Sequence, residues 1–303
     1  MSADDKNFRA GYVALIGRPN VGKSTLLNTL LGQKLSITSH KPQTTRHRLL
    51  GIKTTDSAQF LFVDTPGLHA RAKHAMNRYM NRTASKALAD VDVVVFVVEA
   101  LRWTEEDDLV LKAVRATGAP VILAINKVDR IADKQSLLPY LQSVAEKFDF
   151  EEVIPVSAYK GTNLEVLEQA LLERLPPGEP LFGEDQITDR SERFLAAEIV
   201  REKLMRRLAQ EVPYGTTVEI EQFKEEGELL RIGAVIWVER PNQKPIVIGK
   251  GGAGLKEIGR EARIDMEHLF GHKVFLQLWV KVKEGWVDDE RALNSLGYRD
   301  DGE

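Results

Sequence analysis

The sequence predicts a doubly wound α/β domain with a mostly parallel sheet, followed by a smaller α+β domain. Three observations carry this. Short apolar runs alternate with helical patterns between residues 10 and 175. The run Leu175-Pro176-Pro177-Gly178-Glu179-Pro180 then forbids a continuing helix and reads as a linker. Beyond it the rhythm becomes α-β-β-α-α-β. At 303 residues the chain can hold two separate cores. The expected divisions are a tail (1–9), a first domain (10–175), a linker (176–191), a second domain (192–285) and a C-terminal segment (286–303).

In the first domain, Tyr12–Ile16, Phe60–Val63, Val91–Val98, Val121–Ile125 and Val153–Val156 read as strands. They are Val- and Ile-rich and nearly continuous, as strands buried on both faces of a parallel sheet are. Thr25–Leu31 is apolar-periodic and reads as a helix. Thr104 with Asp107 forms a capping box for a helix that stops near Gly118, and Asn163 caps a last helix, Leu164–Arg174. In the second domain, Arg193–Leu208 reads as a helix with a basic end, Lys203–Arg207, taken as a solvated face. Thr216–Phe223 and Leu229–Val238 read as a hairpin, a helical stretch runs to about Phe270, and Val274–Val282 closes the domain as a strand.

Composition excludes several chemistries. The chain has no cysteine, which removes disulfides, thiolate zinc sites and cysteine nucleophiles. A net charge of −3 neither requires nor forbids nucleic acid, because affinity follows local patches. Residues 1–9 are charged and lack the apolar core of a signal peptide. Val93–Val98, the longest apolar run, has strand length, not the length of a membrane span.

The strand Tyr12–Ile16 leads into Gly17-Arg18-Pro19-Asn20-Val21-Gly22-Lys23-Ser24, which fits G-x-x-x-x-G-K-[ST], and Thr25 opens the helix after it. Strand, glycine loop and helix N-terminus together make a phosphate cradle. Lys23 can reach the β- and γ-phosphates and Ser24 can ligate Mg²⁺. Asp64-Thr65-Pro66-Gly67 ends a strand, so Asp64 can hold Mg²⁺ through water and the Gly67 N–H can meet the γ-phosphate. Asn126-Lys127-Val128-Asp129 ends the next but one. A carboxylate at Asp129 suits the N1–H and N2–H₂ donors of guanine and finds no such donor pair in adenine. Asn126 can tie the base site to the phosphate loop, and the Lys127 stem can cover the purine. Ser157-Ala158-Tyr159 fits the last guanine element, where backbone N–H groups meet the base oxygen. Each motif is weak alone, but their order and their placement at strand C-termini point to a GTP/GDP site with Mg²⁺.

Between these motifs lies His40-Lys41-Pro42-Gln43-Thr44-Thr45-Arg46-His47, expected as a first switch, with Thr45 preferred over Thr44 as the metal-ligating threonine. Leu68 to His74 is expected as the second. Leu68 stands where Ras-like enzymes carry a water-orienting Gln, so slow intrinsic hydrolysis is expected. Asn20 resembles the position that coordinates K⁺ in some GTPases of this class. That ion could supply charge at the developing anion.

In the second domain Ile248-Gly249-Lys250-Gly251-Gly252 carries a G-x-x-G loop between helical segments. A KH domain clamps single-stranded RNA with such a loop. Lys250 would add a cation against phosphate. Ile246, Ile248 and Leu255 would floor the groove, and Lys256, Arg260, Arg263 and Lys273 would line a phosphate track. His268 and His272 lack a third ligand, and Trp237, Trp279 and Trp286 read as core or edge packing.

These motifs, with Ile187-Thr188-Asp189-Arg190-Ser191 in the linker and Val212-Pro213-Tyr214 before the hairpin, resemble the Era-like GTPase family over essentially the whole chain. The resemblance implies a P-loop GTPase domain joined to a type II KH domain. It also implies a cytoplasmic factor that assists assembly of the small (30S) ribosomal subunit, binds the 3′ end of 16S rRNA, and touches the inner membrane peripherally. The alternative is a regulatory GTPase acting on a protein or membrane partner, with the KH-like domain as scaffold. A tRNA-modifying GTPase would carry a separate catalytic apparatus, and none is legible.

Overall fold

The computed structural model describes residues 8–68, 74–209 and 212–298. They divide into two compact units: 8–36, 45–68 and 80–189 form one, and 37–44, 74–79, 190–209 and 212–298 the other.

In chain order the first unit holds β1 (Arg9–Ile16), α1 (Lys23–Leu31), β2 (Leu49–Thr54) and β3 (Ala58–Asp64). After α2 (Ala75–Lys86), whose first turn belongs to the second unit, come β4 (Val93–Glu99), α3 (Glu105–Arg115), β5 (Val121–Asn126), α4 (Leu137–Ala145), β6 (Glu152–Pro155) and α5 (Leu164–Arg174). The strand order is β2-β3-β1-β4-β5-β6, all parallel except the β2/β3 edge pair. β1 feeds the phosphate loop at the point where the order reverses, the crevice in which open α/β sheets bind ligands. β4 and β5 are Val- and Ile-rich and wholly or almost wholly buried, as parallel central strands require.

The second unit holds α6 (Glu192–Arg207), β7 (Thr216–Glu226), β8 (Leu229–Val238), α7 (Gln243–Ile248), α8 (Ala253–Phe270), β9 (Lys273–Val282) and α9 (Glu290–Ser295). β7 and β8 pair antiparallel, and β9 adds parallel to β8 after the crossover through α7 and α8. Ala196, Val200, Leu204, Ile232, Ile236, Ile258 and Met266 close the core between the helices and the sheet.

Several expectations need correction. The edge strand β2 was not read from the sequence. Gly51 in its middle looks like a turn residue, but it makes room for α1: a Cβ there would lie 2.8 Å from Leu27 and Leu31. Residues 181–188 are no free linker, because Leu181 and Phe182 donate to the Gln59 side chain and Ile52 donates to Ile187. Asn163 precedes α5 in a left-handed conformation, and its amide donates to Pro155 rather than capping the helix. The basic end of α6 is a solvated face only in part. Lys203 is buried against Asp265, whereas Arg206 and Arg207 stay exposed, Arg206 bonding Thr38 and Glu202 and Arg207 pairing with Glu261. The helix is packed on the side that carries Lys203, so that charge alone is taken out of solvent. Finally, 286–298 joins the second unit. Trp286 is fully buried and stacks on Tyr298, whereas Trp279 stays 43% exposed on β9.

Candidate functional site

The phosphate loop turns on two glycines that nothing larger can replace. Gly22 has φ 104°, and a Cβ there would come 2.3 Å from the Asn126 amide; one at Gly17 would come 2.3 Å from the Val97 carbonyl. Gly67 is similarly tight, 2.8 Å from the Pro19 nitrogen. These contacts leave the backbone as the only surface that can face an anion. Val21 is buried, Asn20 is exposed with φ 64°, and Ser24 and Thr25 sit in the first turn of α1.

Lys23 is buried, and its ammonium donates to the Gly17 and Arg18 carbonyls at 2.8 and 3.1 Å. Burial pulls its pKa down to about 8, against the attraction of Asp64. A phosphate would remove that penalty. Asp64 is also fully buried, and burial pushes its carboxyl up while Lys23 and three hydroxyls oppose the shift. Its Oδ2 accepts from Ser24 and Ser36, both at 2.8 Å, and Ser24 meets Thr45 at 2.9 Å. Asp64 Oδ1 is buried with no hydrogen-bond partner among the described residues. This set of hard oxygens fits Mg²⁺, with Ser24, Thr45 and Asp64 as the residues that would hold it, directly or through water. The Thr44 hydroxyl instead donates to the Lys41 carbonyl, so the structure brings Thr45, not Thr44, to Ser24.

Ser36 escaped the sequence reading. It lies in no motif; its only trace is Asn28, one turn along α1, whose side chain grips Leu35 and Ser36 through three hydrogen bonds of 2.7–2.9 Å.

At the base site Asn126 does the tying expected of it. Its Nδ2 donates to Val21, and its Oδ1 accepts from Lys127 and Ala158 at 2.8 and 2.9 Å. The Ala158 N–H expected at the base oxygen is therefore engaged by Asn126. Ser157 donates to Asp129 Oδ1 at 2.6 Å and orients the carboxylate that would read guanine. Tyr159 is exposed, with the Lys160 ammonium over its ring. Lys127 reaches Glu99 at 3.0 Å, and Arg18 bridges Glu99 and Asp107 at 2.8 and 3.2 Å. Burial alone would push the Glu99 carboxyl up, but hydrogen bonds from Arg18 and Lys127 and their charges hold it below its usual value.

Of the two switches, 69–73 lie outside the described residues. Leu68 packs partly against the core formed with Phe96 and Ile125. Residues 38–44 belong to the second unit, where α6 holds them. Glu202 accepts from the Thr38 N–H at 2.9 Å, Arg206 donates to the Thr38 carbonyl and hydroxyl, Arg201 donates to the Thr44 carbonyl, and Lys41 donates to the Met205 and Leu208 carbonyls.

In the second unit the G-x-x-G loop joins α7 to α8. Gly249, Gly251 and Gly252 all have positive φ, and a Cβ on Gly249 would meet Gly254 at 2.8 Å. Beside the loop runs an open groove of 440 Å³ lined by Gly252, Leu255, Lys256, Arg260, Arg263 and, from β9, Leu276 and Leu278 among others. Leu276 and Leu278 were missed by the sequence reading, although their alternation with Phe275, Gln277 and Trp279 shows that they share a face. Ile248 packs partly into the core and Ile246 is 53% exposed; neither lines this groove, nor does Lys273. Arg260 and Arg263 are engaged by Glu257 and Glu267 on the surface. Such pairs contribute little and can exchange for phosphate. Among the described residues no helix is long and apolar enough to cross a membrane.

Comparison with known proteins matches each half of the chain to a family. Residues 12–127 match the family described as 50S ribosome-binding GTPase, and 211–287 match the KH domain. GTPase Era of Pseudomonas aeruginosa is 63% identical over 292 residues, 96% of each chain, and that of Azotobacter vinelandii is 61% identical over 297 residues, 98% of this chain and 99% of its own. Two solved structures, a single-residue variant of Aquifex aeolicus Era bound to GDP·AlF₄⁻ and Era in complex with MgGDPNP and nucleotides 1506–1542 of 16S ribosomal RNA, each superpose with a TM-score of 0.93. Each is 43% identical and covers 96% of this chain and 99% of its own. A phosphate loop tied to a guanine-reading carboxylate, a KH groove downstream and identity along nearly the whole length lead to one assignment: the chain belongs to the Era family of GTPases.

Proposed function

We propose that this GTPase grips the 3′ end of 16S rRNA in its KH groove while GTP and Mg²⁺ are bound, and lets go after hydrolysis, as a step in assembly of the small ribosomal subunit. The observation that carries the coupling is the grip of α6 on residues 38–44, immediately before Thr45 in the chain. A metal that draws on the Thr45 hydroxyl pulls on a segment anchored in the RNA-binding unit. Binding thereby shifts a population of conformers.

The test is RNA affinity in two nucleotide states. A fragment of the 16S rRNA 3′ end should bind the GTP-analogue form at least about tenfold more tightly than the GDP form, and RNA should raise the affinity for the analogue relative to GDP by the same factor. Equal affinities would refute the switch. Sequencing of RNA crosslinked to the GTP form in cells identifies the target. Recovery of no ribosomal RNA would favour a regulatory GTPase with a protein or membrane partner. The peripheral membrane contact implied by the family resemblance gains no support from α6, where Lys203 is buried and the exposed Arg206 and Arg207 are paired with Glu202 and Glu261.

Asn20, exposed in the phosphate loop, is the ligand we assign to K⁺, and Leu68 offers no group to orient water. Turnover should be at least roughly tenfold faster in K⁺ than in Na⁺. Asn20→Ala should equalise the two salts; a potassium response surviving that change would remove the assignment.

A further inference from the structure

Lys127 of the base motif is a long side chain with four rotatable bonds, and a purine cover is effective only if its methylenes are held extended. Glu99, at the last position of β4, has that geometry. Its Oε1 takes the Lys127 ammonium at 3.0 Å and its Oε2 takes the Arg18 guanidinium at 2.8 Å. Glu99 is itself held from both ends of the arrangement. Arg18 also donates to Asp107 at 3.2 Å, and Asp107 accepts the Thr104 N–H and hydroxyl, both at 2.9 Å, as the capping box of α3. Asp107 is fully buried and the Arg18 side chain nearly so, so neither can swing away to solvent. None of Glu99, Arg18 or Asp107 stands at a defined position of the guanine-reading motif.

We propose that Glu99 is a positioning residue of the guanine site: it holds the Lys127 stem extended across the purine face, and Arg18 and Asp107 hold Glu99 in place. The inference rests on the assignment of Asn126–Asp129 to the base. Glu99 pairs with Lys127 and Arg18 and not with Lys23, Ser24, Thr45 or Asp64, so its contribution is assigned to the base and is shared by GTP and GDP. Arg18 and the first turn of α3 thereby become part of base recognition through Glu99.

The experiment compares full-length Glu99→Gln with the parent protein. KM for GTP and Kd for a fluorescent GDP should rise together by about tenfold, the scale of coupling between contacting polar groups, with kcat unchanged. Inhibition by ribose 5′-triphosphate, which lacks the base, should be unaffected. Lys127→Met, which keeps the stem and deletes the ammonium, should show the same loss, and adding Glu99→Gln to it should cost less than about twofold more. A tenfold loss that persists in the Lys127→Met background, an equal loss for ribose 5′-triphosphate, unchanged KM and Kd, or a fall in kcat would each overturn the proposal. Thermal melting of each variant reports folding, and Lys127→Met, which keeps the methylene stem in place, keeps the test open should Glu99→Gln fold poorly. Asp129→Asn separates the two levels: a base switch in that variant with a silent Glu99→Gln rejects only the positioning role.

Discussion

Asp129→Asn should turn a guanine binder into a xanthine binder. GTP affinity should fall by about 10³-fold, and xanthosine triphosphate should bind the variant with affinity near that of GTP for the parent. Asp129 carries an acceptor-only carboxylate, and one of its oxygens is already oriented by Ser157 at 2.6 Å. Guanine presents N1–H and N2–H₂ to it. Each hydrogen bond to a charged group contributes about 1.5–3 kcal/mol, so losing the pair costs ~4 kcal/mol or slightly more. Asn offers one acceptor and one donor, which mismatches guanine but matches the N1–H and C2 carbonyl of xanthine. Competition of unlabelled nucleotides against fluorescent GDP and its xanthine counterpart measures both arms. Retention of GTP within about threefold, or no gain for the xanthine nucleotide, would show that this loop does not read the base.

The second large effect concerns RNA. Lys250→Asp combined with Gly251→Asp should lower affinity for the 16S rRNA 3′ fragment at least about 10²-fold at physiological salt. The salt slope should become shallower by about one unit. Lys250 is exposed at the loop and Gly251 faces open space, with no atom within 4 Å of the point a Cβ would occupy. The φ of 60° at Gly251 is one that Asp tolerates at a cost of roughly 1 kcal/mol. The double change thus replaces one positive charge by two negative ones where phosphate would pass, while leaving the core formed by Ile258, Ala262 and Met266 untouched. Basal GTP hydrolysis should stay within error of the parent, and the thermal midpoint should fall by no more than the few degrees that about 1 kcal/mol implies. RNA binding that survives would move the interface away from the G-x-x-G loop.

How much was legible differs between the two halves of each site. The motif residues could be placed from the chain alone because each is confined to a strand end followed by a turn, and the turn chemistry is local: Gly22 takes a φ of 104° that favours glycine. The α2 helix is not legible in the sequence although Met76, Tyr79, Met80, Thr83 and Ala84 recur at helical spacing and are buried, because no Ser, Thr, Asp or Asn stands just before Ala75 to mark its start. β2 was missed for a different reason. Its only irregularity, Gly51, answers a helix packed across it, and no neighbour in sequence reports that helix. Leu276 and Leu278 could have been read as one face of β9, but which face meets the groove depends on where α8 lies.

Nucleotide class, metal chemistry and the RNA-gripping loop followed from the linear chain, since each rests on residue types at fixed short spacings. Which threonine meets Ser24, which hydroxyl besides Ser24 loads Asp64, where Lys127 finds its counter-charge and what holds residues 38–44 were decided only by folding. Those contacts join positions from 21 to 168 residues apart. A hydrogen bond depends on distance in space, and the chain carries no record of that distance until the sheets and helices have packed.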